Sequence, residues 1–306
     1  TIVSNLGENA LVSDRMATPN LKWETNLNFN VGIDFSLFNN RFSGSFDFFT
    51  RRSKDLLYSR PIAPSLGYGS IDENVGALKN TGIEMVLNGT IINQNGWVWK
   101  LGMNLTHYKN KVTDLPLKDM PQSGVNKLQV GRSVYDFYMI EWAGVDPENG
   151  DPLWYMDEED ENHNPTGKRV TTNDYGSADY YYVNKSSLPK VYGGFNTSLS
   201  WKGFDLSAIF AYSIGGYIYN RDWSTEILRR WTPDNRNTDV PALSTTTNNW
   251  NSASTRFLQN NSYMRLKNLT LSYNLPKQWI SKLSLSSVQV YVQGDNLFTI
   301  HRNQGL

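Results

Sequence analysis

Hydrophobic and polar residues alternate without a break from Leu21 to Leu37. The odd positions are Leu21, Trp23, Thr25, Leu27, Phe29, Val31, Ile33, Phe35 and Leu37. The even ones are Lys22, Glu24, Asn26, Asn28, Asn30, Gly32, Asp34 and Ser36. Successive side chains of a strand point to opposite faces, so this period of two predicts a single strand with one dry face and one wet face. Strands of soluble domains usually run about 3 to 10 residues, and at about 3.3 Å per residue this one would reach ~55 Å. That length suits the wall of a tall barrel.

The alternation returns along the chain. After Asn39-Asn40, whose residues tolerate positive φ in a turn, Phe42, Gly44, Phe46 and Phe48 alternate with Arg41, Ser43, Ser45 and Asp47, and Leu56-Leu57-Tyr58 lies near the strand's far end. Residues 59–75, with Pro61, Pro64, Gly67 and Gly69, read as a loop. A third strand places Ile83, Met85, Leu87 and Ile91 on one face and breaks at Asn93-Gln94-Asn95-Gly96. A fourth follows at once with Trp97, Trp99, Leu101, Met103 and Leu105. From about 114 to 187 the pattern dissolves into a long excursion holding Val134 to Trp142, a turn from Asp146 to Pro152 and the acidic run Asp157 to Glu161. The fifth strand, with Val191, Phe195, Leu199 and Trp201, turns through Lys202-Gly203 into a sixth with Phe204, Leu206, Ala208, Phe210, Tyr212 and Ile214. A loop from about 221 to 261 leads to a seventh, with Leu269, Leu271, Tyr273 and Leu275, which ends at Pro276. A connector with Trp279 leads to an eighth, with Val288, Val290 and Val292. Residues 1–20 show no period and read as a loop.

The connections therefore run short, long, short, long, short, long, short. A soluble sandwich has no reason to sort its loops by length, whereas membrane barrels of the outer-membrane type carry short turns on one side and long loops on the other. Trp97, Trp99 and Trp201 all sit beside short turns, as an aromatic girdle requires. Ordinary cross-strand packing is the alternative for each of them.

Composition narrows the choice. The chain carries 29 basic and 29 acidic residues, so no electrostatic footprint for nucleic acid is present. It has no cysteine, which excludes thiolate metal sites and disulfides. No run approaches the ~18 apolar residues of a membrane helix. A mean hydropathy of -0.51 does not argue against a barrel, whose strands turn only alternate residues to lipid. Aromatic residues, 13% of the chain, fit barrel girdles and equally a sugar-binding module.

Several stretches then resemble, in order, the C-terminal part of the SusC/RagA-type TonB-dependent outer-membrane transporters. They are Pro19 to Glu24 with Val31 to Phe35, Asn74 to Glu84, Gly203 to Ser207, Tyr263 to Tyr273, and Tyr291 with Gly294 to Thr299. The resemblance implies an all-β chain in which residues 1–306 supply about eight to ten antiparallel strands, with long extracellular loops, of a barrel of about 22 strands. It implies a plug domain and N-terminal region outside this stretch, and a further strand after Gly305-Leu306. An eight-stranded barrel closed on itself is the geometric alternative. The implied role is import of glycans or oligopeptides across the outer membrane of a Gram-negative bacterium, beneath a lipoprotein lid of the SusD type. TonB, acting on the plug, would supply the energy, and the chain would do no covalent chemistry and use no cofactor.

Enzymatic signals are weak. His107, His163 and His301 stand far apart with no partner at ligand spacing, and the acidic run lacks the alternating pattern of a calcium loop. The candidate residues are therefore binding residues. Trp142, Trp154, Tyr155, Tyr180, Tyr181, Tyr182, Trp223 and Trp231, all in the long loops, are candidates to present rings to a sugar or peptide; packing of the loops against one another is the competing role. Asn26, Asn28, Asn30 and Asp34 are expected to face the lumen and meet the plug. Two rival readings remain: a β-rich carbohydrate-binding surface module, which needs a second sheet over the apolar face, and a β-rich glycosidase, which needs a pair of acids that nothing singles out.

Overall fold

The structure is a computed structural model that describes residues 2–5, 8–11, 16–63, 65, 67–117, 120–221, 226–244, 249–281 and 285–302. Eight long strands form one antiparallel sheet: β1 (Thr25–Leu37), β2 (Phe42–Lys54), β3 (Ala77–Gln94), β4 (Trp97–Asp114), β5 (Val191–Trp201), β6 (Phe204–Ile214), β7 (Tyr263–Asn274) and β8 (Gln289–His301). Their order across the sheet is their order along the chain. β1 and β8 are its two edges and do not pair with each other, so the closed eight-stranded barrel is not formed.

Turn chemistry fixes the register. Asn39 and Asn40, Asn95 and Gly96, and Lys202 and Gly203 all take positive φ, the geometry that joins right-twisted strands in a tight hairpin. Each hairpin then zips in register, Leu37 opposite Phe42, Gln94 opposite Trp97, and Trp201 opposite Phe204. A bulge between Thr90 and Ile92 adds one residue to β3 and shifts its parity, so Ile92, and not Ile91, comes opposite Trp99 on the apolar face.

That apolar face runs unbroken across the wall. Ile33, Phe46, Met85 and Leu105 lie on one cross-strand rung, and Trp99, Leu199, Leu206, Leu271 and Val292 on another. Among the described residues no second protein layer covers it. Trp23 is 93% exposed, Ile33 65%, Phe29 55%, Leu206 43% and Leu101 37%. Nearest the short turns, Trp97 stacks on Trp201 with ring centres 4.8 Å apart, and the row continues through Phe204 and Tyr273. Trp99 donates its indole N–H to the Thr197 hydroxyl at 2.9 Å. These tryptophans are thus cross-strand partners and a surface row at once.

The long connections are folded, which periodicity did not anticipate. Leu57–Pro61 pairs with Ser70–Asn74 in a hairpin of its own, so Leu57 and Tyr58 leave β2. Before β1, Ile2–Asn5 and Glu8–Leu11 form another hairpin where a loop was expected. β1 itself begins at Thr25. Ahead of it, the Lys22 backbone N–H and C=O both bond to the Asn74 side chain, and Glu24 accepts from the Leu57 N–H, so these residues dock on the neighbouring hairpin in place of extending the ladder. The connector before β8 contains one helical turn, α1 (Lys277–Ile280).

Residues 122–186 build two small sheets, one from Gln122–Ser123, Asn126–Lys127, Asp136–Ile140 and Tyr180–Ser186, the other from Trp142–Val145, Pro152–Glu159 and Pro165–Thr172. Two hydrophobic cores form there, Phe137, Met139, Val183 and Leu258 in one and Ile140, Trp154 and Ala178 in the other. Leu258 belongs to the loop between β6 and β7, whose Leu258–Asn260 pairs with Tyr217–Tyr219. The two loops interlock. Ile140 bridges to Ser254, the Trp142 N–H donates to the Thr255 hydroxyl (2.9 Å), and the Tyr175 hydroxyl donates to the Ala253 carbonyl (2.9 Å).

Candidate functional site

The candidate residues lie on two surfaces: the interlocked cap on the long-loop side, and the polar face of the wall. Periodicity sets the second. The side chains between those of the apolar face point the other way, and on β1 these are Asn26, Asn28, Asn30 and Asp34, all exposed. The Ser53 hydroxyl donates to the Asn26 side chain, Asn28 lies opposite Arg51, Asn30 opposite Phe49, and Asp34 opposite Ser45. Further along the same face an aromatic ridge takes rings from β2, β4 and β5 and passes over β3. Phe49 and Tyr108 have ring centres 6.5 Å apart, Tyr108 meets Tyr192 edge-on at 6.5 Å, and the Arg51 guanidinium sits 5.2 Å from the Phe49 ring. Gly82 makes this crossing possible. A Cβ there would come within 2.5 Å of the His107 carbonyl oxygen and 2.8 Å of the Phe49 ring. Toward the short turns the face is lined by Asn88, Asn104 and Asn196 around Gly102, and the Asn104 side-chain oxygen accepts the Gly194 N–H at 2.9 Å.

In the cap, the candidate aromatics divide. Trp154 is fully buried, held edge-on between Trp142 (6.0 Å) and Tyr175 (5.2 Å), so it packs the loops and presents no ring to solvent. Trp142 is its cross-strand partner and lies 4.9 Å from the Arg256 guanidinium. Trp231 donates its indole N–H to the Pro147 carbonyl (3.2 Å) and lies over Gly150, where a Cβ would come within 2.6 Å of the ring. It clamps the Asp146 to Pro152 turn. Half-buried Tyr155 is tied by its backbone to Glu141 and Asp179. Trp223 lies outside the described residues.

Tyr180, Tyr181 and Tyr182 alternate across one short strand, which separates their roles. Tyr181 donates to the Asp157 carboxylate at 2.9 Å under the Arg169 guanidinium, 3.8 Å from the ring centre, and Arg169 also pairs with Glu141. Burial first, and then the bond to Asp157, push its hydroxyl well above the ordinary phenol range. Tyr180 and Tyr182 face the other way and flank Tyr138, at 5.8 Å and 4.8 Å between ring centres. The Lys127 ammonium lies 5.0 Å from the Tyr138 ring and the Arg132 guanidinium 4.5 Å from that of Tyr182. This partly exposed cluster of three rings and two cations is the surface best suited to stack on a planar or sugar-like group while attracting negative charge. Tyr138, Lys127 and Arg132 escaped the sequence reading. They meet Tyr182 only through a strand pairing about 44 residues distant (Tyr138 with Tyr182), which no local pattern signals.

The acids have structural work. Asp160 accepts the backbone N–H groups of Asn164 and Asn162, and Asp174 accepts from the Ser177 hydroxyl and the Gly176 N–H; these bonds hold both carboxyls below the usual range. His107 bonds the Lys190 carbonyl, and His163 pairs with Glu159 at 3.1 Å. Among the described residues no group of three or more such side chains is placed to hold a metal ion.

Residues 4–297 match the family model described as "TonB dependent receptor-like, beta-barrel". TonB-dependent receptor P3 of Formosa agariphila is 31% identical over 97% of this chain, and SusC of Bacteroides thetaiotaomicron is 27% identical over 94%. The chain spans about a third of the length of these relatives, 32% and 30% respectively. Among solved structures, the RagAB peptide transporter superposes over 100% of this chain and 35% of its own, at 32% identity and a TM-score of 0.85.

Proposed function

Since this chain belongs to the TonB-dependent receptor β-barrel family, we propose that it forms part of the wall and the outer mouth of a nutrient importer in the outer membrane of a Gram-negative bacterium. One observation carries the proposal: among the described residues, none forms a second layer over the apolar face of the eight long strands. A contiguous apolar surface of this size in water would drive aggregation, whereas hydrocarbon covers it at no cost. The opposite face is polar, as a barrel lumen is, and its asparagines and aromatic ridge suit contact with a plug.

In this reading the interlocked loops receive cargo beneath a SusD-like lipoprotein, and TonB acts through the plug. The likeness to a peptide transporter supports oligopeptides as cargo, and the Tyr138–Tyr180–Tyr182 cluster, with its two cations, suits an acidic peptide or a sugar alike. Among the described residues no second sheet covers the apolar face, and the surface-module reading requires one. The test is fractionation followed by uptake. The protein is expected in the detergent-dependent membrane fraction, and cells lacking it are expected to lose uptake of labelled oligopeptides. Recovery as a detergent-free soluble monomer would overturn the proposal.

A further inference from the structure

The apolar face does not keep its character to the long-loop end. On β2, β3 and β4 its rungs can be read in order: Phe46–Met85–Leu105, then Phe48–Ile83–His107, then Thr50–Thr81–Lys109, then Arg52–Lys79–Lys111. The chemistry thus changes from oily to hydroxyl to wholly cationic within four rungs, all on the outward side. Arg52, Lys79, Lys109 and Lys111 are exposed, and among the described residues none forms an ion pair; the nearest acid along the ladder is Asp114, opposite Ala77 beyond a bulge.

Three cations directly opposite one another repel at Cβ separations of about 5 Å. Such a rung is relieved of that repulsion by an anion. Its height says which anion. Lys109 lies twelve residues along β4 from Trp97, the short-turn tryptophan. At about 3.4 Å per residue and a strand tilt of about 40°, this is ~30 Å along the membrane normal, the thickness of the hydrocarbon layer. Lipid tails that cover Phe46, Met85 and Leu105 therefore end in headgroups level with the basic rungs.

We propose that Arg52, Lys79, Lys109 and Lys111 form an external site for the phosphate groups of an anionic lipid in the long-loop leaflet. The proposal rests on the membrane-wall reading above. A lysine offers phosphate a mobile point charge and an arginine a planar fork, and clustered basic side chains beside a membrane span bind anionic headgroups in this way. Thr50 and Thr81, whose hydroxyls lie 3.3 Å apart on the intervening rung, add donors at the headgroup boundary.

The experiment uses the detergent-purified protein and native mass spectrometry with two probes, phosphorylated lipid A and the same lipid after enzymatic dephosphorylation. The wild-type protein is expected to retain the phosphorylated probe selectively. The variant R52Q/K79Q/K109Q/K111Q is expected to bind it at least about tenfold more weakly, while R51Q/K100Q, on the inner face, binds as wild type. Equal retention of both probes, or undiminished retention by the quadruple variant, overturns the lipid site; so does salt-sensitive capture of an acidic protein in its place. Membrane fractionation of each variant separates this from the parent reading. A quadruple variant that stays in the membrane but loses the lipid supports the site. A wild-type protein that is not in the membrane overturns both.

Discussion

The wall and the cap are made of the same side chains and bury them in opposite ways. In the wall, Leu27, Phe29, Val31 and Ile33 lie open while every strand is held by a long ladder with few register shifts. In the cap, Met139, Ile140, Trp154 and Phe257 are sealed, strands are short, and pairing is interrupted by bulges. The cap follows the rule of a water-soluble domain, oily side chains inward. The wall inverts it, because backbone groups beside hydrocarbon must all be paired whereas side chains beside hydrocarbon need not be hidden. In the membrane-wall reading proposed above, one chain is folded for two solvents.

That contrast is breakable. The largest effect is expected from Trp154→Ala, which empties the cap's second core at a cost of about 3–5 kcal/mol. Hydrogen exchange should quicken through residues 136–186 while the eight wall strands keep their protection; loss of protection in both would mean that cap and wall are one cooperative unit. Next is Leu101→Arg on the outward face of β4, expected to cost about 2–4 kcal/mol of barrel stability in lipid. Asn30→Arg, on the inner face, should cost far less, and equal losses in a urea titration would erase the distinction between the faces. The smallest effect concerns the hairpin outside β2. The Arg60–Glu73 pair, at 2.8 Å, holds the Glu73 carboxyl below its usual range, chiefly through the hydrogen bond. A lowered folded value means a contribution present above the unfolded value near pH ~4.3 and lost as pH falls through the folded one. Protection relative to the intrinsic exchange rate should therefore fall in residues 57–60 and 70–74 below pH ~4 while that of β2 and β3 holds.

The wall was legible because its signals are local. Alternation marks the faces of each strand, and Asn39-Asn40, Asn95-Gly96 and Lys202-Gly203 mark three of its turns. The bulge at Ile91 was not, since an extra residue in a strand leaves no trace in hydropathy. The cap was opaque because its strands are two to eight residues long, too short for a period, and its cores join residues such as Met139 and Leu258 from different loops. For the same reason Trp154 read as a candidate ligand contact: an aromatic ring in a loop looks alike whether it faces water or its neighbours. Placing Asn26, Asn28, Asn30 and Asp34 on the face opposite the apolar one needed only parity, and the pairing of β1 with β2 has no bulge to shift it.

Strand order that copies chain order has one more effect. Every long loop leaves the wall and comes back at the adjoining strand, so its ends stay pinned by the ladder whatever happens between them. Each doubling of such a tether's length costs only about 0.6 kcal/mol in closure entropy. The wall can thus hold still while descendants of this sequence trade, enlarge or retool the loops that stand above it.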